Sequence, residues 1–103
     1  MPFFVKTELI KKEYFLSEEL RKKTIKKHIN WINQLQKNGV NIKSGYLIDE
    51  EKKPGGGGLL IIESSNYKEA KDIISNDPMI KKDLVNWQLH EWKEISEKIK
   101  KLI

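Results

Sequence analysis

The stretch Val40–Glu63, VNIKSGYLIDEEKKPGGGGLLIIE, holds two strand-like runs with no helix between them. In the first, residues 40–49, Val40, Ile42, Tyr46 and Ile48 fall in near alternation with Ser44 between them, the period expected of a strand with one covered face. The second, residues 59–63, is apolar up to Glu63, as in a central strand. The connection at 49–58 is charged and then carries Pro54 and four glycines, a composition that predicts a flexible hairpin loop. A directly joined pair of strands is only half an argument. What flanks it on each side decides the fold.

On the N-terminal side the pattern changes period. Ser17 is placed to cap free backbone N–H groups, and Glu18 and Glu19 complement the positive end of a helix dipole. Leu20, Ile25, Ile29, Ile32 and Leu35 recur at helical spacing, Lys22, Lys23, Lys26, Lys27 and Lys37 fill other positions, and Gly39 supplies a left-handed stop after Asn38. Before this helix, residues 3–10 alternate as a strand, with Phe3, Val5, Thr7 and Leu9 on one side and Phe4, Lys6, Glu8 and Ile10 on a more polar side. On the C-terminal side Asn66 and Glu69 form a capping pair for a short helix reaching Ser75, and Pro78 turns Asp77 away from helical angles. A last strand follows at 84–91, with Val85, Trp87 and Leu89 on one side and Asn86, Gln88 and His90 on the other. Ile95, Ile99 and Leu102 then suggest a C-terminal helix.

The order is β-α-β-β-α-β, the ferredoxin-like α+β arrangement with an antiparallel four-stranded sheet, in one domain spanning residues 1–103. Two helices cover one face of such a sheet, so the other face needs a partner or must be polar. Reading Phe4, Tyr46 and Trp92 beside Lys6, Asn86, Gln88 and His90 on that second face gives a mixed surface. A homodimer joined sheet to sheet around a small polar cavity would show such a surface.

Composition narrows the function. The absence of cysteine excludes disulfides, thiolate metal sites and cysteine nucleophiles. No apolar run approaches the ~18 residues of a membrane span, and the N-terminus has no signal-peptide pattern, so a cytoplasmic protein without a membrane role is expected. The net charge is +5, yet Arg21 is the sole arginine. Arginine is the preferred residue for phosphate and base contacts, so nucleic-acid binding is not expected and the lysines read as solvated helix faces. The strand 59–63 also lacks the aromatic motif of RNA-binding relatives of this fold. No cofactor signature is present: Gly55–Gly58 lacks the following Lys-Ser/Thr and helix of a phosphate loop, and the two histidines have no metal-ligand spacing.

His28 draws the eye because it lies on the apolar stripe, three residues after Ile25 and four before Ile32. Histidine is the natural proton-transfer side chain near neutral pH. Asp77, at the end of the second helix, could orient it. The bland alternatives are a half-buried histidine satisfied by a backbone carbonyl, and an aspartate that only makes the Asn76-Asp77-Pro78 turn. Tyr46, Gln88 and His90 could line a pocket. Pro2 behind Met1 raises another possibility, a tautomerase whose N-terminal proline amine is a general base, although the element order fits that family poorly.

Several features taken together resemble the YciI-like (YCII-related) family. They are His28-Ile29 late in the long helix, Leu35 and Gly39, Ser44-Gly45, the glycine-rich turn into Leu59-Leu60-Ile61-Ile62, Glu69-Ala70, and Asp77-Pro78 ahead of a strand with Trp87 and Trp92. The resemblance runs from Phe3 to about Trp92. It implies a ferredoxin-like domain of the dimeric α/β-barrel class, with the family's histidine and aspartate falling on His28 and Asp77 as an acid/base pair. One relative is a dehydrochlorinase acting on a chlorinated hydroxyquinol. This chain departs in having Gly45-Tyr46 where the family often has Gly-Pro. The implied function is small-molecule chemistry, lyase-like or dehydrochlorinase-like, by His28 and Asp77. A non-catalytic binding or accessory protein is the alternative.

Overall fold

The computed structural model describes residues 1–95. Four strands, β1 (Phe3–Ile10), β2 (Ile42–Ile48), β3 (Pro54–Glu63) and β4 (Val85–Trp92), form one sheet in the order β2-β3-β1-β4 with every pairing antiparallel. Three α-helices, α1 (Glu18–Lys37), α2 (Tyr67–Ile74) and α3 (Pro78–Lys81), join them, with a 3-10 turn over Lys12–Phe15. This is the ferredoxin-like α+β arrangement. Local chemistry sets the helix ends: Ser17 Oγ accepts from Leu20 N at 3.1 Å, Gly39 stops α1 at φ 86°, and Asn66 Oδ1 accepts from Glu69 N at 2.8 Å. The expected C-terminal helix lies outside the described residues.

Strand register sets the helix-covered face in rows. Ile42, Ile62 and Phe4 make one row, and Ser44, Leu60, Lys6 and Leu89 the next. Tyr46, Gly58, Glu8 and Trp87 make a third. Phe4, Ile62, Ile42 and Leu60 are buried with Ile32 from α1 and Ala70 and Ile74 from α2. Each of these side chains larger than Ala70 contributes about 1.5–3 kcal/mol by leaving water.

Two expectations are corrected here. Phe4, Lys6 and Tyr46 belong to the covered face, not to the mixed open one. The open face instead carries Phe3, Val5, Thr7 and Leu9 with Leu59, Ile61, Asn86, Gln88, His90 and Trp92. Alternation separates two sides of a strand but does not say which turns inward, and here the side carrying Lys6 and Glu8 does. Second, Gly55–Gly58 are strand, not loop: Gly57 and Gly58 pair with Leu9 and Glu8 of β1, and Gly58 also with Tyr46 of β2. Ladder hydrogen bonds need no side chain, so a glycine run can extend a strand paired on both sides. The turn is confined to Asp49–Lys53, where Asp49 Oδ1 accepts from Glu51 N at 2.8 Å and Lys53 N at 2.9 Å, and Lys52 adopts φ 68°.

Candidate active site between the long helix and the glycine strand

Asp77 is placed by turn chemistry. Its N–H donates to Ile74 O at 2.9 Å as α2 ends, Pro78 opens α3, and Asp77 Oδ1 accepts from Met79 N at 2.9 Å. The turn does not exhaust the carboxylate. His28 Nδ1 lies 2.8 Å from the same Oδ1, and Lys6 Nζ donates to Oδ2 at 3.0 Å. Asp77 is 0 % exposed and Lys6 1 %. Burial alone pushes the Asp77 carboxyl upward; the His28 hydrogen bond, the Lys6 charge and the Met79 N–H outweigh it and hold the carboxyl below its ordinary range. Asp77 is therefore an anion at neutral pH.

His28 projects from the same stripe of α1 as Ile25 and Ile32. Its ring lies 5.8 Å from that of Trp31, centroid to centroid, and its second nitrogen, Nε2, is 2.9 Å from Ser44 Oγ. Opposite an ionised Asp77, Nδ1 carries the proton of the neutral imidazole. Nε2 then presents its lone pair and accepts from the Ser44 hydroxyl. An aspartate, an imidazole and a serine hydroxyl are thus joined in sequence, brought together from α3, α1 and β2. Lys6 also pairs with Glu8, whose carboxylate lies in the neighbouring row of β1.

The imidazole borders a cleft of about 590 Å³ between α1, the 3-10 turn and the sheet. Its apolar wall includes Ile10, Phe15, Ile25, Ile29 and Met79, and its polar groups include Glu8, Tyr14, Arg21, His28 and Ser44. The glycine strand explains the hollow. Gly58 stands in the row between Tyr46 and Glu8, and a Cβ there would meet the Glu8 side chain at 3.2 Å. A volume of this size is in the range of small-molecule sites.

The structure thus brings His28 and Asp77 into contact and sets Tyr46 on the cleft wall. Gln88 and His90 lie on the open face of the sheet and do not line this cleft. Pro2 is at the opposite end of β1, where its carbonyl accepts from Ser64 N at 3.1 Å. Among the described residues no group of three or more histidine, cysteine, aspartate or glutamate side chains could hold a metal ion, and no helix is long and apolar enough to cross a membrane. Sequence reasoning missed Lys6, Glu8 and the contact of Ser44. The signal available for the first two was two charges on successive same-side positions of a strand otherwise flanked by Phe4 and Ile10, a pattern that burial would force into ion pairs.

A solved structure of similar fold agrees with this architecture. A structure of the 5-chloro-2-hydroxyhydroquinone dehydrochlorinase of Burkholderia phenoliruptrix AC1100, in complex with 2,5-dihydroxybenzoquinone, superposes with a TM-score of 0.66 at 19 % identity, covering 89 % of this chain and 94 % of that one. The designed protein Foldit4 gives a TM-score of 0.48 at 10 % identity over 89 % and 94 % of the two chains. No curated protein matches the sequence significantly. The YCII-related domain family matches residues 5–93, nearly the whole described chain, and the protein belongs to that family.

Proposed function

We propose that the protein is a small-molecule enzyme in which His28 moves a proton and Asp77 fixes its tautomer and balances its charge. The observation that carries this reading is the imidazole held at both nitrogens, Asp77 on one side and Ser44 on the other, at the wall of a cleft. Protonated His28 together with Lys6 would balance the two carboxylates Asp77 and Glu8, so the buried cluster is suited to an imidazolium formed during turnover. The dehydrochlorinase with the same fold suggests the reaction class: loss of HX from a hydroxylated ring. In the keto tautomer of such a ring, His28 Nε2 takes a hydroxyl proton. The released electron pair becomes the π bond of a ring carbonyl, the adjacent enol C=C pair shifts to form a new double bond to the carbon bearing X, and X leaves with its bonding pair.

The test uses chlorinated hydroxyquinols as probe substrates and follows quinone absorbance. His28→Gln, which keeps a polar side chain of similar reach, should lower turnover by at least 100-fold with an unchanged circular dichroism spectrum. Full turnover in that variant would refute the assignment, and binding without turnover by the native protein would favour a carrier or accessory role.

The open sheet face supports a second element of the proposal, a homodimer. Phe3, Leu9, Leu59 and Trp92 are exposed there, and a patch of this kind marks an interface. Trp92→Glu should shift sedimentation toward the monomer. A native protein that sediments as a monomer at micromolar concentration would refute it.

A further inference from the structure

The one arginine of the chain stands in the cleft. Arg21 is half-buried on α1, on the stripe that also carries Ile25 and His28, whereas Lys22, Lys23, Lys26 and Lys27 are exposed. Its guanidinium carbon lies over the Tyr14 ring, 5.9 Å from the centroid and within cation–π range. Among the described residues no carboxylate forms an ion pair with it, and no side-chain hydrogen bond occupies it. Glu8, the carboxylate lining the same cleft, is already paired with Lys6. A planar cation with unused donors beside Phe15, Ile25 and Ile29 offers what a carboxylate on a flat apolar body requires, since the guanidinium fork matches a carboxylate with two parallel hydrogen bonds.

We propose that Arg21 makes this cleft a receptor for single-ring aromatic carboxylic acids, the carboxylate on the guanidinium and the far side of the ring at His28. The inference rests on the reading of the cleft as a ligand site and adds the class of ligand. Arg21 and His28 are seven residues apart on one helix, so their backbones are separated by about 10 Å along its axis. Both side chains line the one cleft, and a benzoate with a para hydroxyl presents an anion and a hydroxyl at opposite ends of its ring. Burial pushes the Tyr14 phenol above its ordinary range, against the opposing influence of Arg21, and nearby Glu8 adds to the rise. The hydroxyl therefore stays protonated and adds no negative charge to the cleft it lines. The apolar walls favour the ring, and the guanidinium selects against its neutral analogue.

The test is calorimetric titration of the full chain with 4-hydroxybenzoate and with 4-hydroxybenzamide, which differ in the anionic group alone. The native protein should bind the acid at least tenfold more tightly than the amide. Arg21→Gln should erase that preference, and Arg21→Lys, which keeps the charge but not the fork, should retain part of it. His28→Gln should leave the preference intact, because anion recognition does not depend on proton transfer. Loss of activity and loss of preference therefore report separately on the two sites. Equal affinity for acid and amide, no binding of the acid, or a preference that survives Arg21→Gln would overturn the proposal; circular dichroism of Arg21→Gln and Arg21→Lys controls for folding.

Discussion

Replacing Lys6 by methionine, a side chain of similar length without charge, should be among the most damaging single changes available to this chain. The Lys6 ammonium is buried between Asp77, at 3.0 Å, and Glu8. The side chains of those acids are 0 % and 11 % exposed, so water cannot take over when the cation goes. Removing one partner of a buried pair typically costs about 3–5 kcal/mol, because the remaining charge is left uncompensated. A domain of this size has a total stability of about 5–15 kcal/mol. At roughly 4–8 °C per kcal/mol, a loss near the lower figure lowers the melting temperature by at least about 12 °C. The assays are thermal melts and urea denaturation, both followed by circular dichroism at pH 7 and again at pH 4.5. The deficit of Lys6→Met should narrow at the lower pH, where the stranded carboxylates can take up protons. Adding Asp77→Asn to Lys6→Met should cost less than the two single effects summed, by about 0.5–3 kcal/mol. A Lys6→Met protein that melts within about 3 °C of the native one at both pH values would refute the buried-pair argument.

Further outcomes follow from the contacts of Asp77 and from the surroundings of three glycines. Asp77 has its carboxyl held below the ordinary range in the folded state, so its ionised form contributes stability at neutral pH, and that contribution is lost as pH falls through the depressed folded value. The stability difference between the native protein and Asp77→Asn should therefore be largest near pH 7 and shrink below about pH 4; a difference that grows on acidification would show the opposite sign of coupling. Gly57→Ala should destabilise by about 1–3 kcal/mol, since the new Cβ meets the carbonyl oxygen of Glu8 at 3.1 Å in a paired strand. Gly58→Ala should cost less, because the Glu8 side chain it meets can swing away, and Gly45→Ala, with nothing within 4 Å, should be tolerated; thermal melts rank the three.

Much of the fold is legible before any coordinates. The helix stripe of Leu20, Ile25, Ile29 and Ile32, its Ser17 cap and Gly39 stop, and the Asn66–Glu69 cap are local features, and each is set by residues three or four apart. The strand limits were less legible. The glycines of β3 read as a loop because a strand is stabilised by its neighbours, and the partners of Gly57 and Gly58 lie about fifty residues earlier in β1. His28 and Asp77 are visible in the sequence as candidate residue types, and the turn signal at Asp77 matches the structure; one carboxylate serves both the helix cap and the contact with the histidine.

The amino-acid sequence by itself determined the order of elements, the capped ends of the two main helices and the chemistry available to the chain, because those depend on neighbours along the backbone. Only the tertiary structure decided which side of β1 turned inward, and with it that Lys6 and Glu8 are interior charges. Both sides of that strand alternate equally well. The choice rests on Asp77, which lies 71 residues from Lys6 and supplies the opposite charge that makes burying an ammonium tolerable.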